Sequence, residues 1–229
     1  MTRRFLHDEQ PDTFSFSEEN RRLCVKIISK YPKGRQASAV IPLLDLAQRQ
    51  VGWVTKPAIE TVADILAMPY IKVLEVATFY TMFNLQPVGL YNIQVCTSLS
   101  CWLRGSDGIV AACKARLGVE IDGLSSDKKF SLSEVECAGA CVNAPVIAIN
   151  DDYFEDLTPE TMTALIDDLE AGASLVHGSM TSRSGSAPIG TRHSLKDNPE
   201  DHVFKQDFTL AKKHFEYKQN EVAKVKDQN

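Results

Sequence analysis

The chain has 229 residues, of which 44% are hydrophobic and 24% charged, and its formal net charge at pH 7 is -5. This composition is typical of a globular protein with room for one large domain or two small ones. Because binding to nucleic acid requires a clustered positive surface, the acidic balance argues against nucleic acid as the main partner.

Targeting and membrane signals are weak in this sequence. No apolar run follows the two early arginines, and the acidic residues Asp8 and Glu9 argue against a mitochondrial transit peptide. Residues 76–103 carry no charge, but polar residues and a proline interrupt them, so a spanning helix would have to bury polar groups. We therefore expect a soluble chain in a reducing compartment, without direct membrane insertion. There the six cysteines favour metal or redox chemistry over disulfides.

Residues 14–88 carry four helical patterns, which together predict a helical bundle. Ser15 or Ser17 can cap the first helix, and Glu18 is placed to complete a capping box on Ser15. Each pattern places apolar residues three or four positions apart, as a helix buried along one face requires. The helices are expected from the cap to residue 31, at residues 36–50, after Thr55 and at residues 71–83.

From residue 89 onward, strand and helix patterns alternate. Strands are predicted at residues 91–95, 130–135 and 145–149, helices at 104–117 and 159–169, and an acidic turn at 151–156. Thr158 is the expected cap of the last helix, because Pro159 suits the first helical position. This order predicts a small α/β layer over residues 89–173, so that the fold class of the chain is α+β.

Residues 174–229 differ in composition from the rest of the chain and are predicted to form an extended C-terminal arm. The stretch 179–189 is rich in Ser, Gly and Thr, which is typical of a linker or an arm. Further on, Phe204, Phe208, Ala211 and Phe215 fall at helical spacing. Two interpretations of this segment remain open, a helix that docks on another surface and a disordered tail.

Four of the six cysteines form two close pairs, Cys96 with Cys101 and Cys137 with Cys141. A structural zinc site usually has tighter C-x2-C loops, because both thiolates must reach one tetrahedral ion. The wider C-x4-C and C-x3-C loops suit a [2Fe–2S] cluster, in which each iron takes two thiolates. Small residues fill both loops, and Gly139 can adopt a positive φ if the turn requires it.

The positions of the pairs agree with a shared site. Each pair follows a predicted strand, so both loops can lie at one end of a single sheet. Residues 137–150 include no charged side chain, which predicts a dry site without cationic neighbours and with a low reduction potential. The acidic residues at 151–156 would lower that potential further if they lie close.

Several other interpretations of the cysteines remain open. A zinc-bound structural scaffold is one, whereas two disulfides or a thioredoxin-type dithiol agree less well with the compartment and the spacing. Cys24 and Cys113 lie on apolar helical faces and are expected in the core. The sequence has no G-x-G-x-x-G, P-loop or hydrolase motif, so no complete active site and no tight binding of NADH or FMN by this chain are expected.

Several motifs of this sequence resemble those of the small [2Fe–2S] subunit (the E subunit) of NADH:quinone oxidoreductase, respiratory complex I. The resemblance covers about residues 14–170. Its motifs are YPKGRQ from Tyr31, IPLL from Ile41, GWV from Gly52, VLEVATFYTMF from Val73, the pair Cys96/Cys101, and VECAGACVNAP from Val135.

The resemblance implies a helical bundle at residues 14–88, a thioredoxin-like ferredoxin domain at 89–173, and an arm at 174–229. It also implies one [2Fe–2S] cluster, with Cys96 and Cys101 on one iron and Cys137 and Cys141 on the other. The cluster would exchange single electrons with FMN on an adjacent NADH-binding flavoprotein subunit, beside a neighbouring iron–sulfur subunit.

The same resemblance implies a place on the cytoplasmic side of the bacterial inner membrane, as part of a peripheral arm. Related modules of NAD-dependent formate dehydrogenases and NAD-reducing hydrogenases share the cysteine pattern, so a diaphorase subunit of such an enzyme is the alternative.

Overall fold

Four helices occupy the first part of the chain in the computed structural model, which describes residues 5–188. They are α1 (Glu18–Ile28), α2 (Val40–Val51), α3 (Lys56–Leu66) and α4 (Tyr70–Phe79), with a 3₁₀ turn at Gln36–Ala39 before α2. Ser17, not Ser15, caps α1, because its side chain accepts a hydrogen bond from the Asn20 amide. Thr55 caps α3 in the same way, and this helix begins directly after Thr55, as the sequence predicts.

The four helices enclose a hydrophobic core of their own. Its largest fully buried side chains are Leu43, Leu44, Val54, Ile59, Leu66 and Phe83. Cys24 also lies in this core, as predicted. The fourth helix ends at Phe79, earlier than predicted, so that Phe83 enters the core from the segment that follows the helix.

A six-stranded mixed sheet follows in the order β2-β3-β1-β4-β5-β6. The strands are β1 (Tyr91–Cys96), β2 (Gly123–Leu124), β3 (Phe130–Val135), β4 (Val146–Ile149), β5 (Asp152–Glu155) and β6 (Gly178–Ser179). The helices of this part are α5 (Leu99–Leu103), α6 (Ser106–Leu117) and α7 (Pro159–Glu170). A second core forms between the sheet and α6 and α7, and it includes Cys113, as predicted.

The central strands β1 and β3 are parallel, with Tyr91 opposite Phe130 and Cys96 opposite Val135. Strand β4 continues the sheet antiparallel to β1, and β5 is antiparallel to β4. Because β1 and β3 run in the same direction, the loops that follow them leave the sheet at the same edge.

One prediction for this part of the chain is wrong. The acidic turn predicted at 151–156 is mostly strand β5, which a tight turn at Asn150 (φ 57°) connects to β4. The helix predicted at 104–117 is confirmed as α6, and the short helix α5, which lies before it and is separated from it by Gly105 at φ 94°, is not predicted.

The expected arm begins on the sheet, where β6 pairs in parallel with β5. The aromatic residues at 204–215 lie outside the described residues. Within residues 5–188 no helix is both long and apolar enough to cross a bilayer.

Candidate functional site

Each cysteine pair lies where a central strand ends. Cys96 is the last residue of β1 and Cys101 lies within α5. Cys137 follows β3 by two residues, and Cys141 begins a one-turn 3₁₀ helix, Cys141–Asn143. Since β1 and β3 are parallel, the structure confirms the prediction that both cysteine loops lie at one end of the sheet.

The two pairs differ in exposure. Cys96 and Cys101 are each only 2% exposed and pack with Ala144 and Val146. Cys137 and Cys141 are exposed, and their Sγ atoms lie 3.3 Å apart. The expectation of a dry site therefore holds for the first pair, which is buried with Ala144 and Val146, and is wrong for the second pair, which is exposed.

The pKa values of the thiols reflect this difference in exposure. They also show that thiols of one pair influence those of the other. Burial raises the pKa of Cys101 to about 11, and the nearby Cys96 and Cys141 thiols add to that shift. The pKa of Cys141 is raised mainly by its hydrogen bond with Cys137, against the opposing effect of a hydrogen bond from Ser100. The pKa of Cys137 is lowered, first by the Gly139 amide and then by Cys141.

The second cysteine loop has the backbone geometry that its sequence predicts. Gly139 has φ 82°, and a Cβ added there would meet no atom within 4 Å, so the glycine is required by the backbone angle rather than by space. This angle belongs to the turn that brings the Gly139 amide to the Cys137 sulfur. Ser100, which lies in the first cysteine loop, forms a hydrogen bond with Cys141 of the second.

The donor set fits a [2Fe–2S] cluster. All six cysteines are free thiols, and four of them form two pairs at one sheet edge. Over residues 5–188, no group of three or more His, Cys, Asp or Glu side chains is placed to hold a single metal ion. A [2Fe–2S] cluster needs only two thiolate ligands for each iron, and each cysteine pair can supply two.

Two residues distant in the chain form hydrogen bonds with the backbone in and next to the second cysteine loop, and the sequence does not predict either of them. The Tyr153 hydroxyl donates to the carbonyl oxygen of Ala138 at 3.0 Å. Arg183 donates to the carbonyl oxygen of Val142 at 3.3 Å, so the expectation of a site without cationic neighbours is wrong. No local pattern signals these residues, because each acts through a contact with a distant part of the chain.

The acidic residues near the site do not act as a block of negative charge. Asp156 is paired with Arg183 at 3.1 Å, and Asp151 is paired with Arg49 of α2 at 2.9 Å. Each ion pair offsets much of the negative charge of its carboxylate, and so much of the lowering of the reduction potential that the sequence predicts for these acidic residues.

We expect the thiols of the cluster-free chain to differ in their rates of alkylation. At pH 8 iodoacetamide should modify Cys137 first, because it is exposed and its lowered pKa gives it the larger thiolate fraction. Cys101 and Cys113, buried and with pKa values raised to about 11 and about 12, should react slowest. Mass spectrometry of the digested chain gives each rate.

The control for this experiment is the same chain in guanidinium chloride, where the six rates should converge. As the pH rises, the Cys137 rate should level off at a lower pH than the Cys141 rate, since thiolate forms above the pKa. Faster alkylation of Cys141 than of Cys137 in the folded chain would contradict the described geometry.

Comparison with known proteins places the chain in a family. Residues 24–170 match the family described as thioredoxin-like [2Fe-2S] ferredoxin. The NADH-quinone oxidoreductase E subunit of Rickettsia bellii is 61% identical over 157 residues, which cover 68% of this chain and 94% of that protein. The E subunit numbered 1 in Rhizobium meliloti is 52% identical over 198 residues, which cover 85% of this chain and 72% of that protein.

A solved NAD+-reducing [NiFe]-hydrogenase shares the fold. It aligns with a TM-score of 0.53 and 19% identity, over 59% of this chain and 23% of the hydrogenase chain. The expected thioredoxin-like ferredoxin fold is confirmed. The chain has four thiols in two pairs at the end of parallel strands, and its sequence is 61% identical to that of the Rickettsia bellii E subunit. It therefore belongs to the thioredoxin-like [2Fe–2S] ferredoxin family, among the E subunits of NADH-quinone oxidoreductases.

Proposed function

We propose that this chain is an electron-transfer subunit of an NADH-quinone oxidoreductase, in which Cys96, Cys101, Cys137 and Cys141 hold one [2Fe–2S] cluster. The observation that carries the proposal is that both cysteine loops follow parallel strands and leave the sheet at the common end of β1 and β3. Relatives named as E subunits of this enzyme, which align over nearly their whole length, support it.

When bound, a [2Fe–2S] cluster accepts and donates one electron at a time. The chain contributes the ligands and their surroundings. The buried Cys96 and Cys101 would hold one iron, and the exposed Cys137 and Cys141 would hold the other. The Gly139 amide and the Ser100 hydroxyl donate toward the outer sulfurs, and hydrogen bonds of this kind stabilise the thiolate form that binds iron.

Four exposed apolar side chains, which we call the apolar rim, lie next to the cysteines in the chain and support a protein partner at this face. The rim consists of Leu99, Trp102, Leu103 and Val142, which are between 52% and 69% exposed. These residues lie within the first cysteine loop or directly follow Cys101 and Cys141 in the chain. Contiguous exposed apolar surface on a folded protein is typical of an interface. We assign this face to the FMN- and NADH-binding flavoprotein subunit, with a neighbouring iron–sulfur subunit beside it.

The same assignment puts the chain in the peripheral arm of the complex, on the cytoplasmic side of the bacterial inner membrane. A diaphorase role in a hydrogenase or formate dehydrogenase has less support, because the hydrogenase alignment has 19% identity and supports the fold alone. The E-subunit relatives, at 52% to 61% identity, favour the quinone-linked complex.

Purification of the tagged full chain from its native membranes tests the proposed function. The chain should be red-brown, lose its visible colour with dithionite, and bring with it a partner that contains flavin and oxidises NADH. Purified alone, it should keep its colour but show no stoichiometric binding of NADH or FMN by calorimetry. A colourless chain that contains zinc, or a hydrogenase as the companion, would contradict the proposal.

A further inference from the structure

A buried ion pair lies next to the second cysteine loop. Arg183 Nη2 and Asp156 Oδ1 are 3.1 Å apart, and their side chains are 11% and 5% exposed. This is the most buried ion pair among the described residues. Removing two charges from water is costly unless hydrogen bonds compensate both of them, so a pair of this kind requires a well-ordered surrounding network.

The network around this pair is centred on Asn143, which lies two residues after Cys141 and is 3% exposed. Arg183 Nη1 donates to Asn143 Oδ1 at 2.9 Å and to the Val142 carbonyl oxygen at 3.3 Å. Asn143 Nδ2 donates to Glu155 Oε2 at 2.5 Å and to the Gly185 carbonyl oxygen at 2.9 Å. The 3₁₀ turn that begins with Cys141 is therefore fixed at its far end by Arg183 and its neighbours.

Arg183 belongs to a segment that we call the C-terminal strap, residues 178–185. The strap begins as β6, which pairs with β5. Ser179 Oγ donates to Asp156 Oδ2 at 2.6 Å and accepts a hydrogen bond from the Arg183 amide at 3.3 Å. Contacts with β5 and Asp156 thus hold the strap in place, and none of them involves a cysteine.

We propose that Arg183 is a positioning residue of the cluster site. Through Asn143 and the Val142 carbonyl it fixes the backbone next to Cys141, and so slows the opening of the loop that would release the outer iron. The inference rests on the proposed function, because it takes Cys137 and Cys141 as ligands. It extends the site to a part of the chain that the family match, which ends at residue 170, does not cover.

The test uses the full chain with its cluster bound and measures iron release to a coloured ferrous chelator after dithionite reduction. Arg183→Gln leaves Asp156 buried without its cation and should speed iron release roughly tenfold, the lower end of the effect of losing an outer-shell partner of a metal ligand. Arg183→Lys keeps the positive charge but loses the planar guanidinium group with its several donors. Its rate of iron release should lie between that of Arg183→Gln and that of wild type.

Two further variants make the test decisive. Arg116→Gln is the control, because Arg116 is also an arginine in ion pairs, here with Asp167 and Glu170 between α6 and α7. It should release iron at the wild-type rate. Ser179→Ala removes one hydroxyl of the strap and should speed release a few-fold while the chain stays folded.

The expected EPR spectrum of reduced Arg183→Gln is that of a [2Fe–2S] cluster with broadened lines, since the ligands stay but their loop is less ordered. Wild-type rates of iron release in both Arg183→Gln and Ser179→Ala would overturn the inference, and Ser179→Ala alone decides if Arg183→Gln does not fold. A wild-type chain that binds no iron would overturn the proposed function instead.

Discussion

Replacing Cys101 with serine is expected to abolish the visible absorption of the purified chain and the EPR signal of its dithionite-reduced form. Cys101 is 2% exposed and shares its buried pocket with Cys96, Ala144 and Val146. A serine hydroxyl is a far poorer iron ligand than a thiolate. Water cannot readily replace the lost ligand in a pocket that the sheet and α5 cover, so we expect the whole cluster to be lost.

Cys141→Ser tests the exposed side of the same site. Because Cys141 is exposed, solvent or the serine oxygen can complete the coordination there, and we expect a distorted EPR signal with weakened absorption rather than complete loss. Cys113→Ala is the matched control, since Cys113 is a buried thiol of α6 in the second core. It should keep the wild-type spectrum. Unchanged spectra in both Cys101→Ser and Cys141→Ser would remove the ligand assignment.

Gly89→Ala is expected to destabilise the full chain by about 3 kcal/mol, the upper end of the usual cost of overpacking. A Cβ on Gly89 would lie 2.6 Å from the carbonyl carbon of Phe130 and 2.7 Å from the carbonyl oxygen of Lys129. Both are backbone atoms, one in the first residue of β3 and one in the residue before it, so no side chain can rotate away to relieve the clash. Guanidinium unfolding, followed by circular dichroism, should show a clearly lower midpoint.

Gly108→Ala is the matched control for that substitution. Gly108 lies within α6, where a Cβ would meet only the side chain of Pro159 at 3.1 Å. Alanine is favoured over glycine in a helix by about 1 kcal/mol, which offsets the cost of that tight contact. The midpoint of Gly108→Ala should stay close to that of wild type. Equal shifts in the two variants would mean that Gly89 does not approach β3 as closely as described.

The sequence predicts the parts of this site that depend on local spacing. Two cysteine pairs after two predicted strands are enough to place both loops at one sheet edge, and the small residues between Cys137 and Cys141 indicate a tight turn. Cys24 and Cys113 lie in the core, as the apolar periodicity of their helices predicts.

The remaining features depend on contacts that no local pattern contains. The acidic residues of β5 obscure the alternation of apolar and polar side chains that would indicate a strand. In the structure Phe154 is buried and Tyr153 is partly exposed. Arg183 lies in a stretch whose composition is that of a linker, and its role becomes visible only where it meets Asn143 and Asp156. Ion pairs between distant segments follow from the folded topology rather than from the neighbouring sequence.

The parallel arrangement of β1 and β3 sets an order of events for cluster assembly. Parallel strands cannot be joined by a short hairpin, and here α5, α6 and β2 lie between them. The two halves of the proposed ligand set would come together only after this long connection has closed, which is a slow, non-local step of folding. Iron delivery in the cell must therefore wait for a nearly complete sheet. Once inserted, the metal should stabilise that sheet by mass action, since the unfolded chain has no preformed site.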